Sequence, residues 1–499
     1  MDIDELDLVL AVSSGVLLAA ILAVRLSVRA GLPTLLMYLG IGLVLGDGVV
    51  GIEFSDADLA HALGFAALVL ILTEGGLSTK WADIRPTIVL GLLLATVGVA
   101  VSVAVVALTA HFVLGLSWEM SILIGAVTSP TDAAAVFSVL RNVPLKSSVL
   151  GALEAESGLN DAPTVLVVVA VSSGMASEHS SRVLLLLIVF ELLAGALLGF
   201  VIARVGAWML RGAALPAAGL YPLAVLAFAV LAYGAAAMLH ASGFAAVYVA
   251  ALVLGNTELP HRAATRSFAE GVGWLAQIGL FVMLGLLATP ARLEWWHLVA
   301  AIVAGLVVTF VARPASVFAC GLWLRVPWRE QAFLSWAGVR GAVPIILATI
   351  PLAYGVEDSY DLFDIVFLFV LLFTFLQAPT LGWSARKLGV AASDEARDVD
   401  IDAAPLARVS ADLLQIHVPK RSRMVGVEVG ELRLPGGASV ALVVRGDETL
   451  APPQTMRIRA RDDLLVVVPR KVRVQTEARL RAVGRYGRLA GWRAGLPEG

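Results

Sequence analysis

Thirteen apolar runs follow one another through the first 387 residues, and this succession constrains the fold more than anything else in the chain. A helix needs roughly 20 apolar residues to cross a hydrocarbon layer about 30 Å thick. The runs are 8–28, 33–46, 59–77, 86–112, 119–140, 146–175, 182–210, 216–239, 242–256, 265–288, 294–321, 329–353 and 360–385. Two of them, 33–46 and 242–256, are short and need help from flanking residues. The chain is 59% hydrophobic, well above the roughly 45–50% of soluble domains. The expectation is an all-α polytopic membrane protein with a small α+β domain behind it.

Charge tests this partition. Of 36 Lys and Arg, 18 lie in residues 1–387 and 18 in the remaining 112. With the N-terminus outside, the inside loops hold Arg25, Arg29, Lys80, Arg85, Arg141, Lys146, Arg204, Arg211, Arg262, Arg266, Arg325, Arg329, Arg386 and Lys387. The outside loops hold Arg182 and Arg292. Cytoplasmic loops carry the excess of Lys and Arg, so thirteen spans with the N-terminus out and the C-terminus in are expected. The start, Met1–Asp7, is acidic and lacks Lys and Arg, unlike a removable signal, so the first run is read as a span. The single cysteine, Cys320, sits in an apolar run and is read as packing.

The domain reading is 1–388 membrane body, 389–409 linker, 410–475 small cytoplasmic domain and 476–499 basic tail with Trp492 near its end. Within 410–475, Leu413–Val418, Ser439–Arg445 and Leu464–Val468 read as strands and Met424–Leu432 as a short helix. Gly446-Asp447 is a turn signal. Val474–Val483 reads as a second helix.

Glu154-Ala-Glu-Ser-Gly-Leu-Asn-Asp-Ala-Pro163 stands inside the sixth run. One charge at the centre of a membrane helix costs at least about 2.5–3.5 kcal/mol. Glu154, Glu156 and Asp161 are tolerable there only if they face water, pair with a cation or carry a proton. Glu156 and Asn160 are four apart, as are Ser157 and Asp161, so the two pairs make adjacent stripes on one helix face. A structural polar patch between helices is the plainer alternative.

The fifth run is interrupted by Thr128-Ser-Pro-Thr-Asp132. Pro130 among hydroxyls predicts an unwound helix whose freed carbonyls and hydroxyls suit a hard cation; a simple proline kink is the alternative. The twelfth run is interrupted by Gly338, Gly341 and Pro344 around Arg340. Two interrupted runs seven apart predict an inverted repeat of spans 1–6 and 8–13. Arg313 is a second buried cation and requires a partner; Glu156 is the natural one. Asp132 and Arg340 are expected at the ends of the broken helices, anion at N-termini and cation at C-termini. Glu74 reads as a funnel or interface residue. The seven His lack metal-ligand spacing, and no phosphate loop, dinucleotide fingerprint or nucleophile elbow occurs. No enzyme activity and no cofactor are therefore expected, and an ion gradient must supply the energy.

On these residues the chain resembles the monovalent cation/proton antiporter family with thirteen spans and crossing broken helices. E-S-G-L-N-D in the sixth run is close to that family's E-x-x-N-D signature. S-P-T-D-A-A-A-V-F, L-P-A-A-G-L-Y-P-L, W-L-A-Q-I-G-L-F and S-W-A-G-V-R-G-A-V-P-I-I-L-A are similar to its bacterial potassium/proton branch. Residues 410–475 resemble the C-terminal half of a regulator-of-potassium-conductance domain.

The resemblance implies exchange of cytoplasmic K+ for H+ by alternating access in a bacterial inner membrane. Asp161 would alternate between proton and cation. Thr131, Ser157 and Asp161 would ligate the dehydrated ion, and the pair Glu156–Arg313 would support the site. Asn160 implies electroneutral one-for-one exchange. Ala133 follows Asp132 where sodium exchangers often have T-D-P, which favours potassium. Sodium or lithium exchange on the same fold is the alternative, and a cation channel a further one. The resemblance also implies a homodimer, a moving core of spans 4–6 and 11–13, and a small anionic ligand such as a cyclic dinucleotide at 410–475. No nucleic acid polymer is expected as a partner.

Overall fold

The structure, a computed structural model, describes all residues except 1–2, 31–32, 47–49, 53, 55, 141–142, 144, 179, 214, 392–399, 406–410, 420–421, 447 and 491–499. The chain divides into two compact units, Met1–Ala391 and Ala392–Gly499. Parts of the expected linker, Asp447 of the turn signal, Arg141 and Trp492 lie outside the described residues.

The first unit is helical throughout. Among the described residues, seven helices are long and apolar enough to cross a membrane. They are span 3 (Asp58–Ser78), span 4 (Ile88–Leu114), span 7 (Arg182–Gly212), span 8 (Leu220–Met238), span 10 (Arg262–Leu287), span 11 (Trp295–Trp323) and span 13 (Ser359–Lys387). Span 6, Ser147–Ser172, has the length at 26 residues and carries the polar stretch. Span 1 is Ile3–Ala30. Spans 2 (Thr34–Leu45) and 9 (Gly243–Gly255) are short, as their apolar runs are. Helices satisfy their own backbone polar groups, the requirement for crossing hydrocarbon.

The remaining two spans are broken. Span 5 consists of Trp118–Thr128 and Ala133–Leu140. Span 12 consists of Trp328–Trp336 and Ala342–Ala353. Spans 4 and 11 each contain one wide π-helical turn, Leu94–Gly98 and Val308–Ala312. Breaks and wide turns thus recur at matching places in the two halves.

Packing sorts the spans into two groups. Spans 2, 3, 7, 8, 9 and 10 pack on one another, and spans 4, 5, 6, 11, 12 and 13 do likewise. The close approaches in the first group rest on small residues. A Cβ at Gly42 of span 2 would collide with the backbone of span 10 around Gly285. At the start of span 13, Arg292 donates to both oxygens of Asp364, at 2.6 and 2.7 Å, and fastens the loop before span 11.

The second unit is α+β. Among the described residues, five antiparallel strands run in the order β1-β2-β5-β3-β4, with β1 Asp400–Pro405, β2 Ala411–His417, β3 Ser439–Arg445, β4 Glu448–Leu450 and β5 Asp462–Pro469. Strand β5 alternates buried and half-buried residues along its length, the pattern of a sheet with one covered face. Leu414, Ile416, Val443, Leu464, Val466 and Val468 make its core with Leu480 and Val483 of the helix Arg473–Tyr486.

Three expectations need correction here. Asp400–Pro405, read as linker, is an edge strand paired with β2. Its acidic sequence hid this, since an edge strand draws on its neighbour's hydrogen bonds rather than on its own propensity. Gly389–Ala391 also belongs to the membrane unit, where the Lys146 N–H donates to the Val390 carbonyl at 3.0 Å. The expected tail from 476 is largely part of the domain, because Leu480, Val483 and Ala490 are buried in its core. Met424–Leu432 forms turns and a single 3-10 turn, Val429–Leu432, instead of a helix.

Candidate functional site

Span 5 breaks because Pro130 has no N–H to give and disfavours helix at the residue before it. Two hydroxyls at the break turn back into the helix they leave. Thr128 donates to the Ile124 carbonyl at 2.7 Å and Ser129 to the Gly125 carbonyl at 2.6 Å. Thr131 is left facing span 6, where its hydroxyl oxygen accepts from the Asn160 side-chain amide at 2.9 Å. That bond uses one of the oxygen's two lone pairs and leaves the other available.

The two breaks cross and are sewn together. The Asp132 N–H donates to the Val339 carbonyl at 2.9 Å. The Asp132 carboxylate accepts from the N–H of Ala135 at 3.2 Å, at the start of the second half of span 5. Its other oxygen lies against Gly341, at the start of the second half of span 12, where a Cβ would collide with it. One carboxylate therefore stands at two helix N-termini. Arg340 does the converse. It donates to the Thr128 carbonyl, at 3.2 Å, and to the Gly338 carbonyl, and both oxygens lie at or near helix C-termini. Opposed half-helix dipoles in a buried place favour this distribution of charge.

Arg313 begins the helical segment after the wide turn of span 11. It engages both oxygens of Glu156, with Nη2–Oε2 at 2.8 Å, and donates to the Leu334 carbonyl at 3.1 and 3.3 Å. Both side chains are buried. A forked, fully bonded pair of this kind is the arrangement in which a buried charge pair is tolerated.

Asp161 differs from these groups. It is 4% exposed, and its Oδ1 has no hydrogen-bond partner among the described residues. The Asn160 Oδ1 is likewise unpartnered. Asp161 opens into a cavity of about 540 Å³ whose lining includes Thr131, Asp132 and Ser157. The structure thus brings Thr131, Ser157, Asn160, Asp161 and Asp132 together. Glu156–Arg313 stands apart as a closed pair, and Pro130 and Arg340 belong to the crossing.

The cavity extends past Glu154 to Glu74, Ser78 and Thr79 at the end of span 3 and to Glu270 of span 10. Glu74 therefore lines the same cavity as Asp161. Tyr248 of span 9 lines the same cavity and had no sequence reading. The available signal was Gly158, a glycine inside the polar stretch.

A model of the sodium/hydrogen exchanger transmembrane family matches residues 16–387. This chain belongs to the sodium/hydrogen exchanger family. A TrkA-C domain model matches residues 413–478 of the exchanger, in the second unit. The exchanger is 33% identical over 472 residues to a protein named K(+)/H(+) antiporter NhaP from Alkalimonas amylolytica, covering 93% of this chain and 82% of the relative. It is 32% identical over 482 residues to K(+)/H(+) antiporter NhaP2 of Shewanella oneidensis, covering 94% and 82%. The solved sodium proton antiporter MjNhaP1 of Methanocaldococcus jannaschii has the same fold, with a TM-score of 0.65 at 22% identity over 77% of this chain and 99% of that one. The expected all-α fold of thirteen spans in two inverted repeats, followed by a small α+β domain, is the fold of this exchanger.

Proposed function

We propose that the exchanger moves potassium against protons, one for one, with Asp161 carrying each in turn. The observation that supports this most is the unpartnered, buried carboxylate oxygen of Asp161 beside Thr131, at the crossing of two broken helices. Arg313 is committed to Glu156, so the Asp161 charge is left to be met by what enters the cavity. Burial disfavours a bare carboxylate, and either a proton or a bound cation relieves that cost. Both cannot be held well at once, and this competition couples the two flows. Thr131 and Ser157 supply neutral oxygens for the dehydrated cation, which suits a hard alkali ion. Asn160 holds Thr131 and adds no charge, which fits one-for-one exchange. Similarity to potassium/proton antiporters along more than nine-tenths of the chain favours potassium.

The same reading has the Lys/Arg-rich loops and the second unit in the cytoplasm, with the N-terminus outside. The span 4–6 and 11–13 group moves against the other group, which forms the homodimer contact. The TrkA-C domain regulates transport and binds a small anion such as a cyclic dinucleotide; deleting residues 400–499 would then change activation by pH or potassium.

Reconstituted liposomes with an internal pH dye, given K+, Na+ and Li+ in parallel, test the function. Potassium should drive proton movement without a membrane potential. Proton movement with Na+ or Li+ alone would remove the potassium reading. Potassium flux without proton movement would make the protein a channel.

A further inference from the structure

We propose that Tyr248 is a specificity-determining residue of the ion pathway, supplied by the scaffold to a site otherwise built on the other span group. The proposal rests on Asp161 as the ion carrier.

Tyr248 lies on span 9, which packs on spans 3, 7 and 8. Its phenol reaches across to span 6 and sits directly on Gly158, where any Cβ would overlap the ring's Cζ and the hydroxyl oxygen. Gly158 is what admits the hydroxyl. It follows Ser157 and precedes Asp161 by three residues, so the hydroxyl stands about 4.5 Å along the helix from the Asp161 level. The displacement is toward Glu154, further along the same cavity.

Tyr248 is 4% exposed, and its hydroxyl has no partner at hydrogen-bonding distance and angle among the described residues. Thr79, Glu154 and Asp161 are the polar groups that face it. Thr79 has already given its own proton to the Gly75 carbonyl at 2.7 Å. Thr79 can therefore only accept from the phenol, and the lone pairs of the phenol oxygen remain for what enters the cavity. The ring lines the cavity between Glu154 and Asp161, where an incoming cation exchanges water for protein oxygens. A neutral phenol oxygen there replaces one water of a weakly hydrated ion such as K+ but compensates poorly for the water lost by Na+, which holds its shell more tightly. Because Tyr248 does not travel with the Asp161 group, it meets the ion in this conformation and leaves its mark on KM instead of on coupling.

The test is full-length exchanger in liposomes, with K+ and Na+ titrated separately. Tyr248→Phe keeps the ring on Gly158 and removes the oxygen. It should raise the KM for K+ by roughly three- to tenfold, the range of one lost polar contact. The KM for Na+ and the proton stoichiometry should stay unchanged. Gly158→Ala displaces the hydroxyl from the opposite side and should shift the K+/Na+ ratio in the same direction, which keeps the test open if Tyr248→Phe is poorly recovered. An unchanged ratio in either recovered variant, or an equal loss for both ions, overturns the proposal. Asp161→Asn run alongside separates the two ideas. If it is inactive while Tyr248→Phe is silent, the Tyr248 proposal alone falls; if it still exchanges, the carrier reading falls first.

Discussion

Ser102 and Ser316 meet hydroxyl to hydroxyl at 2.8 Å, 214 residues apart in the chain. Each stands four residues past a wide π-helical turn, Leu94–Gly98 in span 4 and Val308–Ala312 in span 11. The pair is thus a point where the two repeats touch through equivalent positions. A π turn leaves a carbonyl without its usual helical partner, and such turns gather at functional places in helices. Ser316 lies 2.8 Å from both the Gly98 and the Ala312 carbonyls, one from each wide turn.

Ser316→Ala should therefore cost more than a surface hydroxyl would. It removes the one hydroxyl proton that the two carbonyls share, and an unsatisfied buried group costs about 1–3 kcal/mol. Ser102→Ala should cost less, because Ser316 keeps its carbonyl partners. The double variant should fall short of the sum of the two. Thermal unfolding in detergent of the four proteins measures this coupling, and strict additivity would mean that the two hydroxyls do not interact.

Glu156 and Arg313 call for a different experiment. Removing one partner of a buried, forked pair strands the other charge and costs about 3–5 kcal/mol. Glu156→Gln alone should lower the melting temperature sharply. Glu156→Leu with Arg313→Met, which removes both charges at similar volume, should recover most of the loss. Exchange activity in the double variant then reports whether the pair only holds spans 6, 11 and 12 together.

What was legible in the sequence follows from which forces are local. Span lengths were plain because hydrocarbon thickness acts on every run alike. The breaks were plain because Pro130, Gly338 and Gly341 change the backbone where they stand. Arg313–Glu156 was inferable because a buried cation demands an anion. The wide turns were not legible: Pro314 marks the second, and the first carries only Gly98. Tyr248 was missed because its role is set by a glycine 90 residues earlier in the chain. Strand β1 was missed because its stability comes from β2.

Asp161 and Asn160 stand next to each other but should answer substitution differently. Asp161→Asn leaves a neutral side chain that can hold neither a proton nor an alkali ion tightly, and proton-coupled flux in liposomes should drop to background. Asn160→Asp adds a second carboxylate beside the first and replaces the amide donor to Thr131 with an oxygen that can only accept from the Thr131 hydroxyl. If it supports exchange, that exchange should become sensitive to membrane potential and build one up, read with a potential-sensitive dye during potassium-driven proton movement. Flux through Asn160→Asp that ignores the potential would mean that this position does not set the charge moved per cycle.

The second unit carries a prediction about acid. Asp462 is buried at the start of β5, and burial works against its ionisation. The Arg445 guanidinium, bonded to both its oxygens at 2.8 Å, and the Arg459 N–H at 2.8 Å outweigh that, and hold the carboxyl below the usual range. A carboxyl lower in the folded than in the unfolded chain stabilises the fold above its unfolded value, near 3.9. That contribution disappears as the pH falls through the folded value. Hydrogen exchange of the amides of residues 462–468 in the intact exchanger, corrected for intrinsic rates, should therefore keep its protection from pH 7 to about pH 4 and lose it on further acidification. Asp462→Asn should show reduced protection already at pH 7, because Arg445 then lacks its anion, and should lose little more on acidification. Equal acid sensitivity in the two proteins would assign the transition to another carboxylate of the sheet.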